Sequence, residues 1–510
     1  MVTWEQQPAA LVGARVSILR RVFSFPAALT AVVVTTVFAI ARTGLADPDI
    51  WWHLRNAQYF FASHQWLRAD VYSYTVYGRP WIDHEWLAEI PYDLAWRGFG
   101  VVGIKVLSLL VLEVIFCGLF YLCWQKSGNI KASAVACYFA ILLGSVSFGP
   151  RTILFGYAYL LALLLILGNF RARGRARLWW LPILFCAWIN THGSWSLGLI
   201  VFAIFIAGGL VEGRWGSVEA VRWTSAQIRQ LGGAMAASAA ALFVNPYGYR
   251  LVLYPLDMAF HQKLNIAHVA EWSSVDFHDL RGKIALLFVL TLLVGSLLGR
   301  HRWQLYELGY VLFATYVAFM YVRFLFLAGI LAAPLIASLL NFIPRYRPAN
   351  DRPVLNAAII AGALAFFVWG FPTSRGLSQS IDREYPTEAL AKLASLPPSG
   401  RVMNYYLWGG YVGWKDPAFR DFIDSRVDVF ENAGVLKDYL DLLDLKDADA
   451  ILGKYEIRYV LFPPDEPLSY VLAHDPQWKV IFRGKVSVLF ERVGSGPIGS
   501  SSGAEVRQRP

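Results

Sequence analysis

Two acidic clusters lie in one stretch of this 510-residue chain. The first is Asp47-Pro48-Asp49-Ile50-Trp51-Trp52-His53. Two carboxylates and an imidazole this close together can take a proton from a hydroxyl or hold a divalent cation. Asp49 before an apolar helix start is also ordinary capping, and a D-x-D pattern leaves both roles open. The second is Trp81-Ile82-Asp83-His84-Glu85-Trp86, with three proton-transfer or ligand groups in consecutive positions. On a helix these would point in different directions, so they do not converge on one ion. A helix cap flanked by interfacial tryptophans is the plainer role. Two such clusters in one loop strengthen the chemical role of both.

Other polar groups fall at the ends of apolar runs. Asn190-Thr191-His192-Gly193-Ser194 and Asn245-Pro246-Tyr247-Gly248 each end a run. Pro and Gly at Asn245–Gly248 are simple helix breakers. His192 is the stronger site candidate, because polar side chains at membrane depth are costly. Arg323 and Arg151 sit between apolar runs, where an arginine can snorkel or present its planar fork to a phosphate. Glu271, Trp272 and His278 occupy a nearby loop. Asp49, Glu85, His192, Glu271 and Arg323 are expected to line one cavity on the outer face.

The elements that must position these residues are membrane helices. The chain is 56% hydrophobic and only 16% charged, with a mean hydropathy of +0.44. Soluble chains are closer to a quarter charged. A span needs about 20 mainly apolar residues. Eleven segments qualify: 25–43, 101–124, 132–149, 153–170, 178–190, 195–212, 230–245, 283–299, 304–321, 323–342 and 354–372. Basic loops orient them. With the N-terminus inside, as Arg15, Arg20 and Arg21 favour, the inside loops hold Lys126 and Lys131; Arg171, Arg173, Arg175 and Arg177; Arg214, Arg222 and Arg229; Arg300 and Arg302; and Arg345, Arg347 and Arg352. This explains the net charge of +10 without nucleic acid as a partner. The first run has no cleavage motif after it and reads as a membrane helix. The four cysteines, Cys117, Cys123, Cys137 and Cys186, lie in or beside apolar runs and read as small core residues.

The expected fold class is thus an α-helical polytopic membrane protein with a small α/β domain. A transmembrane domain covers 1–372, with a first outer loop at 44–100 lying along the surface as short amphipathic helices. A soluble extracytoplasmic domain covers 373–493, with strands at 459–462, 480–482 and 486–490 and helices at 433–443 and 445–454. Within it Asp424-Ser425-Arg426 reads as a structural salt bridge. A Gly/Ser-rich tail runs from 494 to 510.

This organisation, with acidic residues at the start of the first outer loop, resembles the GT-C class of glycosyltransferases. Asp47-Pro48-Asp49 carries the likeness at motif level. The phrases 49–54, 80–87, 190–194, 245–248 and Glu271-Trp272 also look like a bacterial family of multispanning membrane proteins related to that class. The resemblance implies a bacterial inner-membrane enzyme that moves a hexosyl or pentosyl group from a polyprenyl-phosphate carrier to an extracytoplasmic acceptor, which is a cell-envelope glycan, a lipid or a protein. It implies Asp49 or Asp47 as the catalytic carboxylate; Asp49, beside the aromatic run Trp51-Trp52-His53, is the expected base, Asp47 its expected partner, and Glu85 a further candidate, with Asp47 and Asp49 as ligands for a divalent cation such as magnesium or manganese. It places Arg151 or Arg323 on the carrier phosphate, with His53, Asp83, His84, His192 and Glu271 around the substrate. Trp51, Trp52, Trp81 and Trp86 are available to stack on sugar rings. One departure stands out: Trp408-Gly409-Gly410-Tyr411 is present, but the Trp-Trp-Asp signature of oligosaccharyltransferases is not, so transfer to protein asparagine is not supported. A transporter, flippase or assembly component for envelope polysaccharide is the rival. Transport needs polar groups through the midplane, whereas here they gather at one surface.

Overall fold

A computed structural model of the chain describes residues 22–45, 47–174, 177–298, 301–396, 400–417 and 419–493. Arg15, Arg20, Arg21, Arg175, Arg300 and the tail from 494 lie outside the described residues. The chain forms two compact units. One takes the chain up to Asp47 together with Asp83–Ser378; the other takes Pro48–Ile82 and the chain from Gln379. The expected division at 372/373 therefore falls at 378/379, and most of the first outer loop folds with the C-terminal residues.

The first unit is helical. Six helices are long and apolar enough to cross a membrane: Trp86–Ser127, Ile130–Ser147, Ile153–Arg173, Leu280–Leu298, Val322–Leu339 and Pro353–Gly370. Four shorter apolar helices, Phe25–Ala41, Trp180–Ile189, Trp195–Ala207 and Leu305–Met320, and the helix Ser225–Ala241 occupy the remaining expected segments. Trp86–Ser127 begins well before the expected 101–124, because Gly100 adopts φ +57° and joins two helical pieces across a kink. Many outward residues of these helices are large and apolar, such as Leu297 and Trp369, as lipid contact requires. A three-stranded sheet, β1 (Gly213–Trp215), β2 (Val218–Ala220) and β3 (Trp303–Gln304), ties two basic loops together. Its Glu219 faces Arg214 and Arg302.

Lys105 is a feature the sequence pattern hides. It is 1% exposed on the helix Trp86–Ser127, and its ammonium donates to the Ala41 carbonyl at 2.9 Å. A cation at a helix C-terminus meets both an orphan carbonyl and the negative end of the dipole. It fixes the end of the helix from which Asp47 emerges.

The second unit is α/β. Its sheet has the order β4-β5-β7-β6, where β4 is Arg401–Asn404, β5 is Ile457–Phe462, β6 is Trp478–Arg483 and β7 is Val488–Arg492. β4 runs parallel to β5, and the other pairs are antiparallel. β4 is four residues long and carries too little pattern to be read from sequence; β5 is almost wholly buried and reads as a continuous apolar run. The helices Val435–Leu443 and Ala448–Lys454 fall where expected.

The helix Asp49–Ser63 belongs to this unit, and its tryptophans are core residues. Trp51 is 1% exposed and packs on Tyr385, Tyr411 and Trp414. Trp52 and Trp81 are also buried. The expectation that these three lie along the membrane surface or stack on sugars is corrected by that burial. The following segment is pinned by Tyr74 to the Val402 carbonyl, by Thr75 to the Phe422 carbonyl and by a bridge between Ser73 and Asp421.

A buried charge cluster completes the packing. Arg426 grips Asp424 through Nε and Nη2 at 2.6–3.0 Å and reaches Asp70 at 2.7 Å, while its guanidinium lies over Tyr72 and Trp81. The salt bridge expected at Asp424-Ser425-Arg426 is therefore present, with a third partner that is remote in sequence. Asp421 lies in the same network. Burial, and then the nearby Asp424, push its carboxyl well above the usual range despite Arg426. Folding thus favours protonated Asp421, so its effect on stability is absent below the unfolded carboxylate pKa and becomes increasingly destabilising as pH rises toward the folded one. Asp421→Asn should flatten that decline. Unfolding midpoints compared between pH 4 and 8 would check it, and parallel curves for the two proteins would refute it.

Candidate active site

In the first unit, Asp47 follows directly from the helix end that Lys105 holds. Arg151 comes from the turn before the helix Ile153–Arg173. Its Nε meets Asp47 Oδ2 at 2.7 Å, and its Nη2 pairs with Glu271 Oε1. One planar fork thus spans two carboxylates from distant segments, a use for which lysine is unsuited. Glu271 sits in the 3-10 turn Ala270–Trp272. Burial pushes its carboxyl up, but Arg151 and then Arg323 outweigh that and hold it below the usual glutamate value. Glu271 is therefore an anion at neutral pH.

Arg323 lies in the turn Val322–Phe324. Its guanidinium stacks 4.3 Å from the Trp272 ring centre, and its Nε is buried with no hydrogen-bond acceptor among the described residues. The Val322 amide donates to the Ser273 carbonyl at 2.9 Å, which ties the two turns together. Two tyrosines hold the arginine backbones: Tyr92 donates to the Arg151 carbonyl at 3.1 Å and Tyr157 to the Arg323 carbonyl at 3.2 Å. Tyr157 lies in an apolar run and Tyr92 in the expected first outer loop, and neither is singled out by its sequence context.

The second acidic cluster meets the His192 turn. The Ser194 amide donates to His192 Nδ1 at 2.9 Å, so that nitrogen accepts and the proton belongs on Nε2. Nε2 faces Glu85 Oε1 at 3.2 Å. His192 is thus held as a neutral donor to Glu85 rather than as a base. His84 Nε2 lies 3.5 Å from the same oxygen, and its ring stacks on Tyr254 at 4.4 Å. Asn190 locks the turn: its Oδ1 accepts from Trp86 Nε1 at 3.0 Å and its carbonyl accepts from the Leu87 amide at 3.0 Å. Asn245 binds its own turn through Leu242, Gly248 and Tyr247, the helix-ending role expected of it. Asp83 is 4% exposed. Tyr92 lies within electrostatic reach of Asp47, Arg151 and Glu85, which places both clusters in one polar neighbourhood.

The structure therefore gathers Asp47, Glu85, His84, Arg151, His192, Glu271 and Arg323 in the first unit. Asp49 and His53 belong to the second. Asp49 stands in the first turn of its helix, where its Oδ1 accepts from Trp52 Nε1 at 3.2 Å. His53 is 1% exposed against Trp52. His278 is exposed and pairs with Asp276. As for a cation, Arg151 occupies Asp47, and no three His, Cys, Asp or Glu side chains converge as a metal site among the described residues. The residues present do not fit a protein-held divalent ion.

No protein-family model matches this chain, and no curated protein matches it in sequence. Solved structures do. ArnT from Cupriavidus metallidurans, bound to undecaprenyl phosphate, aligns with a TM-score of 0.54 at 13% identity, over 92% of this chain and 98% of that one. AglB from Archaeoglobus fulgidus, an oligosaccharyltransferase in complex with an inhibitory peptide and a dolichol-phosphate, aligns with a TM-score of 0.51 at 11% identity, over 85% and 68%. The oligosaccharyltransferase of A. fulgidus tethered to an acceptor peptide with the NVT sequon gives 0.50 at 12%, over 85% and 68%. At such identities the likeness is one of fold alone: the chain has the fold that these ArnT and AglB structures share.

Proposed function

We propose that this protein is a glycosyltransferase that moves a sugar from a polyprenyl-phosphate carrier to an extracytoplasmic acceptor. The observation that carries the reading is Arg323. A half-buried guanidinium whose Nε has no acceptor among the described residues, stacked on Trp272 beside the Arg151 ion pairs, suits the phosphate of a lipid carrier. Undecaprenyl phosphate and dolichol-phosphate in the matching structures support that ligand class.

In this mechanism Arg323 and Arg151 stabilise the charge that develops on the carrier phosphate as its bond to the anomeric carbon breaks. Asp47, oriented by Arg151, accepts the acceptor's hydroxyl proton as the new glycosidic bond forms. Glu271 keeps Arg151 in place, and Glu85 with His192 binds the acceptor or sugar hydroxyls. Asp49 is the alternative carboxylate in the same loop. Purified protein incubated with a panel of polyprenyl-phosphate sugars should release polyprenyl phosphate with at least one of them. Release from none would overturn the reading. Arg323→Gln should raise the carrier KM by roughly 10- to 150-fold, the equivalent of a charge-assisted hydrogen bond of about 1.5–3 kcal/mol.

We also propose eleven spans in the cytoplasmic membrane, with the N-terminus inside and the second unit outside, on the basis of the basic loops. Reporter fusions after residues 173, 348 and 400 are expected to read inside, inside and outside. A cytoplasmic signal at 400 would sink the orientation.

A further inference from the structure

A cavity lies at the other end of the helical unit from Arg151. It is lined by Lys126 at the end of Trp86–Ser127, by Leu164 and Gly168 of Ile153–Arg173, by Tyr306 and Tyr310 of Leu305–Met320, and by Leu335. Arg151 precedes one end of Ile153–Arg173 and Gly168 lies near the other. At 1.5 Å per residue the two levels are about 22 Å apart, so this cavity is distinct from the site above.

Its volume is about 80 Å³. At roughly 15 Å³ for each water-sized position, that is a slot for a short run of hydrocarbon. Leu122, Leu164, Leu167, Leu331 and Leu335 make up most of its apolar lining. The mouth is polar and sits where the helices end. Lys126 pairs with Glu307 and meets the Tyr306 hydroxyl, which accounts for two of its three ammonium donors. Glu307 is fully engaged, since it also accepts from the Gln304 amide at 2.9 Å and faces His301 at 3.5 Å. Arg171 stands close to Tyr306 and lies over Trp223. Lys126 and Arg171 against Glu307 leave one positive charge in excess at the mouth. Inside, the Tyr310 hydroxyl is buried without a partner among the described residues, on a residue only 5% exposed. An unpaired buried hydroxyl is costly, and water alone does not suit a leucine-walled slot.

We propose that this cavity holds the end of one lipid chain whose phosphate is met by Lys126 and Arg171, giving the bundle a second lipid-phosphate site. The Tyr310 hydroxyl donates to an ester oxygen at the head of that chain, the phosphate ester of a polyprenyl phosphate or the acyl ester of a phospholipid. A membrane phospholipid and a polyprenyl phosphate share this chemistry. The inference stands apart from the sugar-transfer reading, since it concerns other residues and is read by binding.

Delipidated protein would be titrated with phosphatidylglycerol, with a polyprenyl phosphate and with diacylglycerol, and bound lipids counted by native mass spectrometry. Wild type should retain one phosphate-bearing lipid that Arg323→Gln does not remove. Leu335→Trp, which fills the slot, should abolish that adduct. Tyr310→Phe, which keeps the shape, should weaken it roughly fivefold, about one neutral hydrogen bond. Competition between the two phosphate lipids identifies the occupant. Equal retention of diacylglycerol, or unchanged adducts in both variants, would overturn the proposal.

Discussion

Asp47→Asn is expected to lower sugar transfer by about 10²–10⁴-fold, the usual contribution of a positioned general base. The substitution keeps the side chain's shape and can still accept a hydrogen bond from Arg151, so insertion and folding should be retained. It removes the charge that pairs with Arg151 Nε and the group that takes the proton. The loss should fall mainly on kcat, because the carrier phosphate is assigned to the arginines. Asp49→Asn is the decisive comparison. Asp49 stands in a helix first turn and accepts from the Trp52 indole, a role that asparagine largely preserves. If Asp49→Asn abolishes turnover and Asp47→Asn does not, the base has been assigned to the wrong residue of the loop. If both remain active while Glu85→Gln is dead, the second acidic cluster carries the chemistry. If all three remain active, the first outer loop is structural.

Replacing Arg426 should have the largest effect on stability. Its side chain is 1% exposed, between Asp70 and Asp424, which are equally buried. Removing one partner of a buried ion pair costs about 3–5 kcal/mol, because the charges left behind have no water to solvate them. Whole domains are commonly stable by only about 5–15 kcal/mol. Arg426→Met should therefore lower the unfolding midpoint of the second unit sharply, and proteolysis within 48–82 and within the C-terminal segment should increase together. Asp70→Asn with Asp424→Asn in the Arg426→Met background removes the stranded charges and should recover part of the loss. Full stability of the single variant would mean that the cluster does not hold these segments together.

The first outer loop shows where the sequence is legible and where it is not. Apolar runs of spanning length survive any rearrangement of neighbours, since lipid requires them. Each of the eleven expected segments overlaps a helix, and six of those helices are long and apolar enough to cross a membrane. The α/β character of the C-terminal region was legible for the same kind of reason, as β5 is a short continuous apolar run. The tryptophans were not: Trp51 and Trp52 have the composition of interfacial anchors, and only Tyr411 and Trp414 around the first and Trp81 against the second make them a core.

The polar residues divide in the same way. Residue type and loop position alone single out Asp47, Glu85, Arg151, His192, Glu271 and Arg323, because charged groups at a membrane edge need a reason to be there. Type does not say who pairs with whom. Asp47 and Asp49 are two residues apart and chemically alike, yet one meets Arg151 and the other a tryptophan in its own helix. Lys105, Tyr92 and Tyr157 carry no signal, since one lysine or tyrosine in an apolar run matches a snorkelling or core residue and one tyrosine in a Trp- and Tyr-rich loop matches an interfacial one. Sequence determines which segments enter the bilayer, because that depends on transfer free energy summed along the chain. Tertiary structure decides which carboxylate faces which arginine, because that depends on distances between residues far apart in the chain.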